Sequence, residues 1–423
     1  MAVNKQSLLL HNKKEVFKLE VCRACDSTNL LLFLQLGPTP VPNGFLRSNH
    51  RHRAEKFYPL DVCVCKDCGL VQLAHVVSPK VMFKNYVYIP STSETMRTHF
   101  AALAKQAIRK TSAKKGNLVL DIGSNDGTLL KAFKSLGMDI LGVDPAENLA
   151  KKANQEGVRT IAALFTKDLA KKIKKEHGPA KIITATNVVA HVHDLHDFFE
   201  GIKILLADDG LFISEFPYLI DLMEKVEFDT IYQEHLSYFS ITPFDKLLKK
   251  HDLNLIDVQR LPVHGGSVRV FVSKKDIKES GNVKKLLQLE KKMGLLNPQT
   301  YLKFRRKVDK VRHELVQLLW RLRLDNKQIV GYGASAKGNI ILNYCRIGPE
   351  TLDYIVDSIP YKQGKFTPGM HIPIYPESKL LKDQPDYTLL LAWNFADEII
   401  KKQAEYRKRG GKFILAIPKL TIV

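Results

Sequence analysis

Residues 117–130, NLVLDIGSNDGTLL, join an apolar run to a glycine-containing turn. The apolar part predicts a buried strand, and the turn predicts the start of a helix. Glycine lets the main chain turn sharply and approach a ligand, and a helix N-terminus offers N–H groups that lack a partner within the helix. The stretch therefore predicts a strand–loop–helix unit with a ligand site at the end of the strand.

A second strand, DILGVDP at residues 139–145, ends about twenty residues further on at Asp144, where a carboxylate can accept both ribose hydroxyls of an adenosine ligand. Asp121 precedes the glycines, whereas a dinucleotide-binding fold would carry G-x-G-x-x-G there. Together these acids favour S-adenosylmethionine (SAM), although Asp121 could instead cap a helix and Asp144 could be a turn residue before Pro145. The residues predicted to bind SAM are Asp121, Gly123, Asn125, Asp126, Gly127, Asp144 and Asn187.

Further strands extend the pattern on the C-terminal side. KIITATN at 181–187 and GLFISEF at 210–216 continue a β-α alternation, which predicts a parallel sheet with helices on both faces. LNLIDVQRL at 253–261 and SVRVFVS at 267–273 are separated by a short loop and predict an antiparallel pair. This closing pair distinguishes the class I methyltransferase fold, a Rossmann-like seven-stranded sheet, from a plain doubly wound dinucleotide fold.

Cysteine is concentrated near the start of the chain, where five of the six cysteines lie within the first 80 residues. Two C-x2-C pairs occur there, and this spacing lets one tight turn present both sulfurs to a zinc ion. A cytosolic chain favours a closed, structural zinc site over a disulfide framework. Cys63 leaves the choice of ligands open, but we favour buried apolar packing for Cys63 and Cys345. The predicted ligands are Cys22, Cys25, Cys65 and Cys68.

The last part of the chain predicts a second, smaller α/β layer. A helix near residues 302–323 carries one apolar stripe, and four strands follow it. The stripe is Phe304, Val308, Val311, Leu315, Leu319 and Leu322, and the strands are at 328–333, 352–357, 387–392 and 412–417. We therefore expect an α/β protein with a zinc-binding domain (residues 1–80), a methyltransferase domain (81–278) and a C-terminal Rossmann-like domain (279–423).

The composition raises a competing hypothesis. The 423 residues include 65 lysines and arginines against 44 acidic residues, a formal net charge of +21. Such a charge is also typical of nucleic-acid-binding proteins, here a zinc-containing protein that binds nucleic acid with or without modification of RNA. The lysines are scattered over helical stretches with no basic strand interleaved with aromatics, which favours an enzyme without a nucleic-acid partner. No apolar run approaches the roughly 18 residues of a membrane span, and the N-terminus does not resemble a secretory signal. We therefore expect a cytoplasmic protein without a membrane partner.

With these pieces in place, the sequence resembles the sugar C-methyltransferases, which build branched deoxysugars on nucleotide carriers. The resemblance runs from about Val21 to about Pro418, and the order of its motifs is more specific than any one of them. The motifs are CRAC (22–25), GPTPVPNGF (37–45), YPLDVCVCKDCGLVQL (58–73), NYVYIPSTSETM (85–96), DIGSNDGTLL (121–130), ATNVVAHVHDL (185–195), YQEHLSYFS (232–240), VHGGSVRVF (263–271), GYGASAKGN (331–339) and PGMHIPIYP (368–376).

The resemblance implies a substrate and a set of catalytic residues. The substrate would be a nucleotide-linked 4-keto-6-deoxyhexose, with dTDP favoured as carrier, and the methyl would go to a ring carbon, most often C3. His235 would be the base that removes the proton beside the ketone. Enolate chemistry also needs hydrogen-bond donors, and by residue type the available donors are Tyr86, Tyr232 and His191, which we expect to line the sugar pocket. The neighbouring Glu234 could orient His235, raise its pKa or contact a sugar hydroxyl. Without the resemblance, such a histidine is more often structural and the tyrosines are equally well core residues.

GYGASAKGN at 331–339 lies between a predicted strand and a predicted helix. Ser335, Lys337 and Asn339 could hold the diphosphate of the sugar carrier at the helix N-terminus, and the equal alternative is a tight turn with an exposed lysine. The glycine pattern is not the dinucleotide fingerprint, so no nicotinamide cofactor is implied. A methyltransferase that acts on a sugar oxygen is a further alternative, and we expect a monomer.

Overall fold

The computed structural model describes residues 15–50, 54–78 and 94–423. The strands in these ranges form four sheets and are numbered in chain order. They are β1 (Val16–Lys18), β2 (Leu30–Thr39), β3 (Tyr58–Cys65), β4 (Val71–Leu73), β5 (His75–Val77), β6 (Leu118–Ile122), β7 (Asp139–Asp144), β8 (Thr160–Ala162), β9 (Ala180–Thr186), β10 (Leu206–Pro217), β11 (Ser237–Tyr238), β12 (Asn254–Leu261), β13 (Ser267–Ser273), β14 (Ile329–Tyr332), β15 (Ile355–Val356), β16 (Ile374–Tyr375), β17 (Tyr387–Leu390), β18 (Lys412–Leu415) and β19 (Thr421–Ile422).

The α-helices of the described ranges are numbered in the same way. They are α1 (Glu94–Thr111), α2 (Thr128–Ser135), α3 (Glu147–Gln155), α4 (Lys167–His177), α5 (Leu195–Leu205), α6 (Leu219–Lys225), α7 (Ile241–Lys249), α8 (Gly281–Met293), α9 (Pro298–Leu324), α10 (Ala336–Cys345), α11 (Ser378–Asp383), α12 (Ala396–Lys402) and α13 (Ala404–Lys408). Among the described residues, none of these helices is both long enough and apolar enough to cross a membrane.

The central sheet has seven strands in the order β12-β13-β10-β9-β6-β7-β8. Its strands are parallel except β13, which runs antiparallel to both of its neighbours. The register places Asp121 of β6 beside Gly142 of β7 and Thr184 of β9. This mixed seven-stranded sheet confirms the predicted class I methyltransferase architecture and the predicted antiparallel pair.

Both faces of the central sheet are covered, because apolar side chains alternate along its strands. Val119 of β6 and Ile182 of β9 face a core that includes Phe100 of α1 and Phe133 of α2. The next residue on each strand faces the opposite core, which includes Phe198 of α5 and the neighbouring helix residues. Helices on both faces leave the ends of the strands as the place where polar loops meet.

The N-terminal sheet is antiparallel, with the order β11-β4-β3-β2. Its edge strand β11 comes from the central part of the chain, and Leu73 N–H donates to the Leu236 carbonyl at 3.1 Å beside it. Strands β1 and β5 form a separate antiparallel pair. The N-terminal sheet therefore packs directly against the loop that contains the predicted catalytic residues 232–235.

The C-terminal sheet has the order β16-β15-β14-β17-β18-β19 and is parallel except for β19. The long helix α9 buries every residue of its predicted apolar stripe, and Tyr301 joins the buried set. The Tyr301 ring lies 5.0 Å from the ring of Phe33 on β2, so α9 also packs against the N-terminal sheet. The predicted C-terminal α/β layer is present, and the predicted domain boundaries at residues 80 and 278 stay predictions.

Candidate active site

The carboxyl ends of the neighbouring parallel strands β7, β6, β9 and β10 meet at one edge of the central sheet. Open α/β sheets bind ligands at this edge. The residues predicted to bind SAM lie near the ends of three of these strands or directly after them, so the structure brings together parts of the chain that are distant in sequence. The loop after β6 is the centre of this group.

The loop after β6 has left-handed main-chain conformations at Gly123 (φ +68°), Asn125 (φ +51°) and Gly127 (φ +75°). A Cβ atom on Gly123 would lie 2.4 Å from Val188 Cγ2, and one on Gly127 would lie 2.8 Å from Val158 Cγ1. Conformation and space both require glycine at these two positions. Close packing against Val188 and Val158 therefore fixes the path of the loop at the end of β6.

Asp144 ties this loop to the end of β7. Its Oδ2 accepts a hydrogen bond from Asn125 N–H at 2.8 Å, and its Oδ1 accepts one from Ala146 N–H at 2.8 Å. Burial raises the pKa of Asp144, and the two N–H donors oppose that rise. An ionised carboxylate has about four acceptor sites, so both oxygens can also accept ribose hydroxyls. The donor and acceptor set fits an adenosine ligand.

Asp121 is buried on β6, and its Oδ1 accepts a hydrogen bond from Thr184 Oγ1 on β9 at 2.6 Å. Burial raises the pKa of Asp121 to about 7, and the charge of Asp144 acts in the same direction. The Asp121 side chain therefore forms a hydrogen bond between the neighbouring strands β6 and β9. The acidic side chain near the start of α2 is Asp126 instead, and its Oδ1 accepts a hydrogen bond from Thr128 Oγ1 at 2.6 Å.

Asn187 follows β9 and continues this edge towards the histidines. Its φ is +56°, and its N–H donates to the Glu215 carbonyl of β10 at 2.7 Å. A short 3-10 helix, Val189–His191, comes next. The turn after β9 therefore places Val188 against Gly123 of the loop after β6, and His191 ends the 3-10 helix that follows.

The predicted catalytic residues after β9 and after α6 form one ring cluster. The His191 and His235 rings are perpendicular, with centroids 4.8 Å apart. The Tyr232 ring lies 4.0 Å from the His235 ring. Burial lowers the pKa of His191 to about 4, so this imidazole is neutral at pH 7 and is able to donate a hydrogen bond. The structure brings His191, Tyr232 and His235 together, whereas Tyr86 lies outside the described residues.

His235 is held in one tautomer by the main chain. Its Nδ1 lies 2.7 Å from the Thr230 carbonyl oxygen. A carbonyl only accepts, so Nδ1 carries the proton, and in the neutral ring the lone pair is on Nε2. This is the arrangement that a histidine general base requires. The orienting partner is the carbonyl of Thr230, which sequence analysis did not predict.

Glu234 is buried beside the cluster and contacts the N-terminal part of the chain. Its Oε1 accepts a hydrogen bond from Asn43 Nδ2 at 2.8 Å. Burial raises the pKa of Glu234 to about 7, and the Asn43 hydrogen bond opposes the rise. Asn43 lies within the GPTPVPNGF stretch, so the quoted motif was a signal that could have identified it.

The residues predicted to bind a diphosphate lie at the start of α10. Ser335 Oγ accepts a hydrogen bond from Gly338 N–H at 3.0 Å and caps the helix. Lys337 is half-buried, with Nζ 4.9 Å from the centroid of the Trp393 ring. Asn339 is buried and its Nδ2 donates to the Pro42 carbonyl at 2.6 Å. This turn therefore contributes a cap, a cation, and an amide that holds the N-terminal segment.

The four predicted zinc ligands converge, with all of their sulfur atoms within 4.8 Å of one another. Cys22 and Cys68 have sulfurs 3.5 Å apart, and so do Cys25 and Cys65. A tetrahedral zinc ion with Zn–S distances of about 2.3 Å needs sulfurs about 3.8 Å apart. The cluster therefore fits a closed zinc site, which would hold the two turns together.

The turns that carry these cysteines are alike. Asp26 (φ +63°) and Gly69 (φ +87°) each follow the second cysteine of a pair in the left-handed conformation. Cys63 lies outside the cluster and its Sγ donates to the Gln72 carbonyl at 3.6 Å. Burial raises the pKa of the Cys63 thiol to about 12, as the predicted buried apolar packing implies.

Comparison with known proteins divides the chain into three consecutive matches. The family model of a zinc binding domain matches residues 22–83, and that of a methyltransferase domain matches residues 94–258. A third model, the C-methyltransferase C-terminal domain, matches residues 262–418. C-methyltransferase NovU of Streptomyces niveus is 37% identical over 407 residues, which span 96% of this chain and 97% of NovU. The chain belongs to this C-methyltransferase family. The enzyme is thus a SAM-dependent methyltransferase with a zinc-binding N-terminal domain.

More distant similarities cover only part of this C-methyltransferase. Ubiquinone biosynthesis O-methyltransferase of Glaesserella parasuis is 31% identical over 112 residues, 25% of this chain and 48% of that protein. Among solved structures, the PH0226 protein of Pyrococcus horikoshii covers 44% of this chain and 95% of its own, with 18% identity and a TM-score of 0.37.

Sequence analysis missed the residues that connect the site to its surroundings. Three of them form hydrogen bonds with predicted site residues of other elements, namely Thr184 with Asp121, Thr230 with His235 and Asn43 with Glu234. Trp393 donates from Nε1 to Asp229 Oδ2 at 2.6 Å, directly before Thr230. Trp393 is one of only two tryptophans in the chain, which was the one available signal for it.

Proposed function

We propose that this C-methyltransferase adds a methyl group to C3 of a nucleotide-linked 4-keto-6-deoxyhexose, with dTDP as the favoured carrier. His235 is the general base in this proposal, and Tyr232, His191 and Tyr86 are hydrogen-bond donors in the sugar pocket. The observation that carries the proposal is the His235 ring, which is fixed by the Thr230 carbonyl and packed against His191 and Tyr232.

The chemistry requires a base at the proton on C3 and hydrogen-bond donors at the oxygen on the adjacent C4. A C–H beside a ketone becomes nucleophilic when a base removes its proton and donors stabilise the negative charge on the carbonyl oxygen. The Nε2 lone pair of His235 takes the C3 proton, while the neutral His191 imidazole and the Tyr232 hydroxyl donate to the C4 oxygen. SAM supplies an activated methyl. The C3–H bond breaks, and a C3–CH3 bond forms as the methyl–sulfur bond breaks, with S-adenosylhomocysteine as the leaving group. His235 passes the proton to solvent.

Two other groups place the reactants. SAM binds at the edge of the central sheet in this proposal. The residues that hold it are Asp121, Gly123, Asn125, Asp126, Gly127, Asp144 and Asn187. Glu234, with its raised pKa, is available to contact a sugar hydroxyl or amino group beside Asn43. Correct placement of the two reacting carbons is the other source of rate acceleration that the protein supplies.

The carrier diphosphate binds at the start of α10 in this proposal. Lys337 supplies the positive charge, and the cap Ser335 and the main-chain N–H groups of the first turn face the same end of the helix. The Asn339 amide holds Pro42, and its Oδ1 has no hydrogen-bond partner among the described residues. We place the enzyme in the cytoplasm, where reduced thiolates persist, as a monomer.

The base assignment is tested with His235→Asn, and His313→Asn on the exposed face of α9 is the matched control. We expect the His235 variant to bind SAM with wild-type affinity, measured by calorimetry, and to lose turnover by about 100-fold or more. We expect the His313 variant to turn over like the wild type. Wild-type turnover in His235→Asn would remove His235 from the role of base.

A further inference from the structure

A buried hydrogen bond joins two residues that have no part in the proposed chemistry. Trp393 begins a short 3-10 helix after β17, and its Nε1 donates to Asp229 Oδ2 at 2.6 Å. Asp229 lies in the 3-10 helix Phe228–Thr230, which precedes the catalytic loop. The two residues are 164 positions apart, so this bond connects the C-terminal layer to the central part of the chain.

The Asp229 carboxyl group is fully buried, where a charge is costly unless partners compensate it. Burial raises the pKa of Asp229, and the charge of Lys337 and the Trp393 hydrogen bond oppose the rise. Glu227 is buried as well, with a pKa raised to about 7 by burial and opposed chiefly by Lys337. Lys337 therefore balances two buried acids while it packs on the Trp393 ring.

Asp229 is the main-chain neighbour of the group that orients the base. The next residue, Thr230, presents the carbonyl that accepts from His235 Nδ1 at 2.7 Å. The same turn is closed by Thr230 N–H, which donates to the Glu227 carbonyl at 3.1 Å. The direction of the Thr230 carbonyl is therefore set by a turn that Trp393 anchors from the C-terminal layer.

We propose that Asp229 and Trp393 are positioning residues for His235, and that binding of a nucleoside diphosphate at the Lys337 turn acts on the base through this pair. Lys337 contacts the Trp393 ring at one end of the pair, and the Thr230 carbonyl holds the imidazole at the other. An anion that binds Lys337 changes the charge balance around Asp229 and orders the Trp393 contact. Binding of the carrier is thereby coupled to the turn that orients the base. The inference rests on the function proposed above.

The pair is tested with Trp393→Phe, which keeps an aromatic ring but loses the N–H donor, and Trp320→Phe is the control because Trp320 is 63% exposed on α9. We expect Trp393→Phe to lower kcat by about 100-fold, the effect of a misplaced catalytic group, while the SAM affinity stays at the wild-type value. The acid limb of the kcat–pH profile should also move. Asp229→Asn keeps an acceptor for the indole and should retain more activity than Asp229→Ala.

A spectroscopic reading separates positioning from loss of fold. In protein with 15N-labelled histidine rings, we expect the His235 signals, assigned with His235→Asn, to report the Nδ1–H tautomer in the wild type and a mixture in Trp393→Phe. Unchanged signals, an unchanged pH profile and wild-type kcat in Trp393→Phe would overturn the inference. If His235→Asn itself turns over normally, the proposed function fails, whatever the tautomer shows.

A second test keeps Trp393 in place and therefore does not depend on whether Trp393→Phe folds. Trp320→Phe leaves Trp393 as the single tryptophan of the chain, and its fluorescence reports the environment of the indole. We expect dTDP to change the Trp393 emission, and charge removal in Lys337→Met to abolish the change. Emission that does not respond when calorimetry shows dTDP bound would contradict the coupling. Absence of dTDP binding would instead contradict the proposed carrier.

Discussion

Arg23, which lies between the first two cysteines of the zinc cluster, donates from its guanidinium to the main-chain carbonyl of His193 at 2.8 Å. The same nitrogen also donates to the Val192 carbonyl. Both carbonyls belong to the turn that directly follows His191. One buried cation therefore connects the cysteine turn to the turn that follows His191.

Arg23→Lys should destabilise the fold and the site together. Arg23 is 1% exposed, and a lysine side chain ends one atom short of the guanidinium nitrogen that donates to both carbonyls. We expect the free energy of unfolding to fall by about 1.5–3 kcal/mol, the range for hydrogen bonds that involve a charged group. Urea denaturation measures this. Arg321→Lys, on the exposed side of α9, is the control, and equal stability of the two variants would contradict this role for Arg23.

Removal of one thiolate should release the metal. We expect the wild type and Cys345→Ala to contain about one zinc ion per chain by elemental analysis, and Cys68→Ser to contain much less. The free energy of unfolding of Cys68→Ser should fall by clearly more than the about 1 kcal/mol typical of a point substitution, because zinc binding contributes to folding. Full zinc content in Cys68→Ser would show that another side chain completes the site.

Gly123→Ala should disrupt the loop after β6, where we propose that SAM binds, by contact as well as by conformation. The new Cβ would lie 2.4 Å from Val188 Cγ2. We expect the SAM affinity to fall by about 10- to 100-fold, equal to about 1.4–2.7 kcal/mol, and calorimetry measures it. Gly116→Ala is the control, because Gly116 is also left-handed (φ +80°) but a Cβ there meets nothing within 4 Å.

The double variant Gly123→Ala/Val188→Ala separates the two causes. Removal of the valine methyls relieves the contact and leaves the left-handed strain, which costs about 1–2 kcal/mol. We therefore expect partial recovery of SAM binding. No recovery at all would assign the entire loss to the main-chain conformation.

Glu234→Gln should make the protein more stable at neutral pH than the wild type. The folded-state pKa of about 7 exceeds the unfolded value, so between about pH 4.5 and pH 7 the folded state holds a proton that the unfolded state has lost. Wild-type stability contributed by Glu234 is therefore lost as the pH rises through this window. Glutamine keeps the acceptor for Asn43 and remains neutral.

The difference in unfolding free energy between Glu234→Gln and the wild type should grow from near zero at pH 4.5 to at most about 3 kcal/mol above pH 7. Denaturation at a series of pH values measures it, and Glu147→Gln on the exposed start of α3 should show no such trend. A pH-independent difference would contradict the raised pKa of Glu234.

The regular parts of the fold follow from local pattern. The apolar runs at 117–123 and 139–145 became β6 and β7 within one residue at each end, and the stripe on α9 is buried as predicted. Apolar periodicity reports burial directly, so such elements are predictable from sequence. Strand β8 has three residues and β11 has two, which is too short for any period to show.

The connections within the site do not follow from local pattern. Glu234 and Asn43 are 191 residues apart, and Trp393 and Asp229 are 164 apart. Such contacts depend on how the sheets pack, which no sequence period encodes. Residue type and family resemblance suggested His235 and Asp144 as site residues, whereas the group that accepts from His235 Nδ1 is a main-chain carbonyl, which carries no sequence signal at all.

The central claim, that His235 makes a sugar enolate, is tested most directly by proton exchange without methyl transfer. The enzyme is incubated with a dTDP-linked 4-keto-6-deoxyhexose and S-adenosylhomocysteine in D2O, and NMR follows the C3 proton. We predict that the wild type and His313→Asn replace this proton with deuterium, whereas His235→Asn does not. Retention of the C3 proton by the wild type, or equal exchange by His235→Asn, would contradict the account.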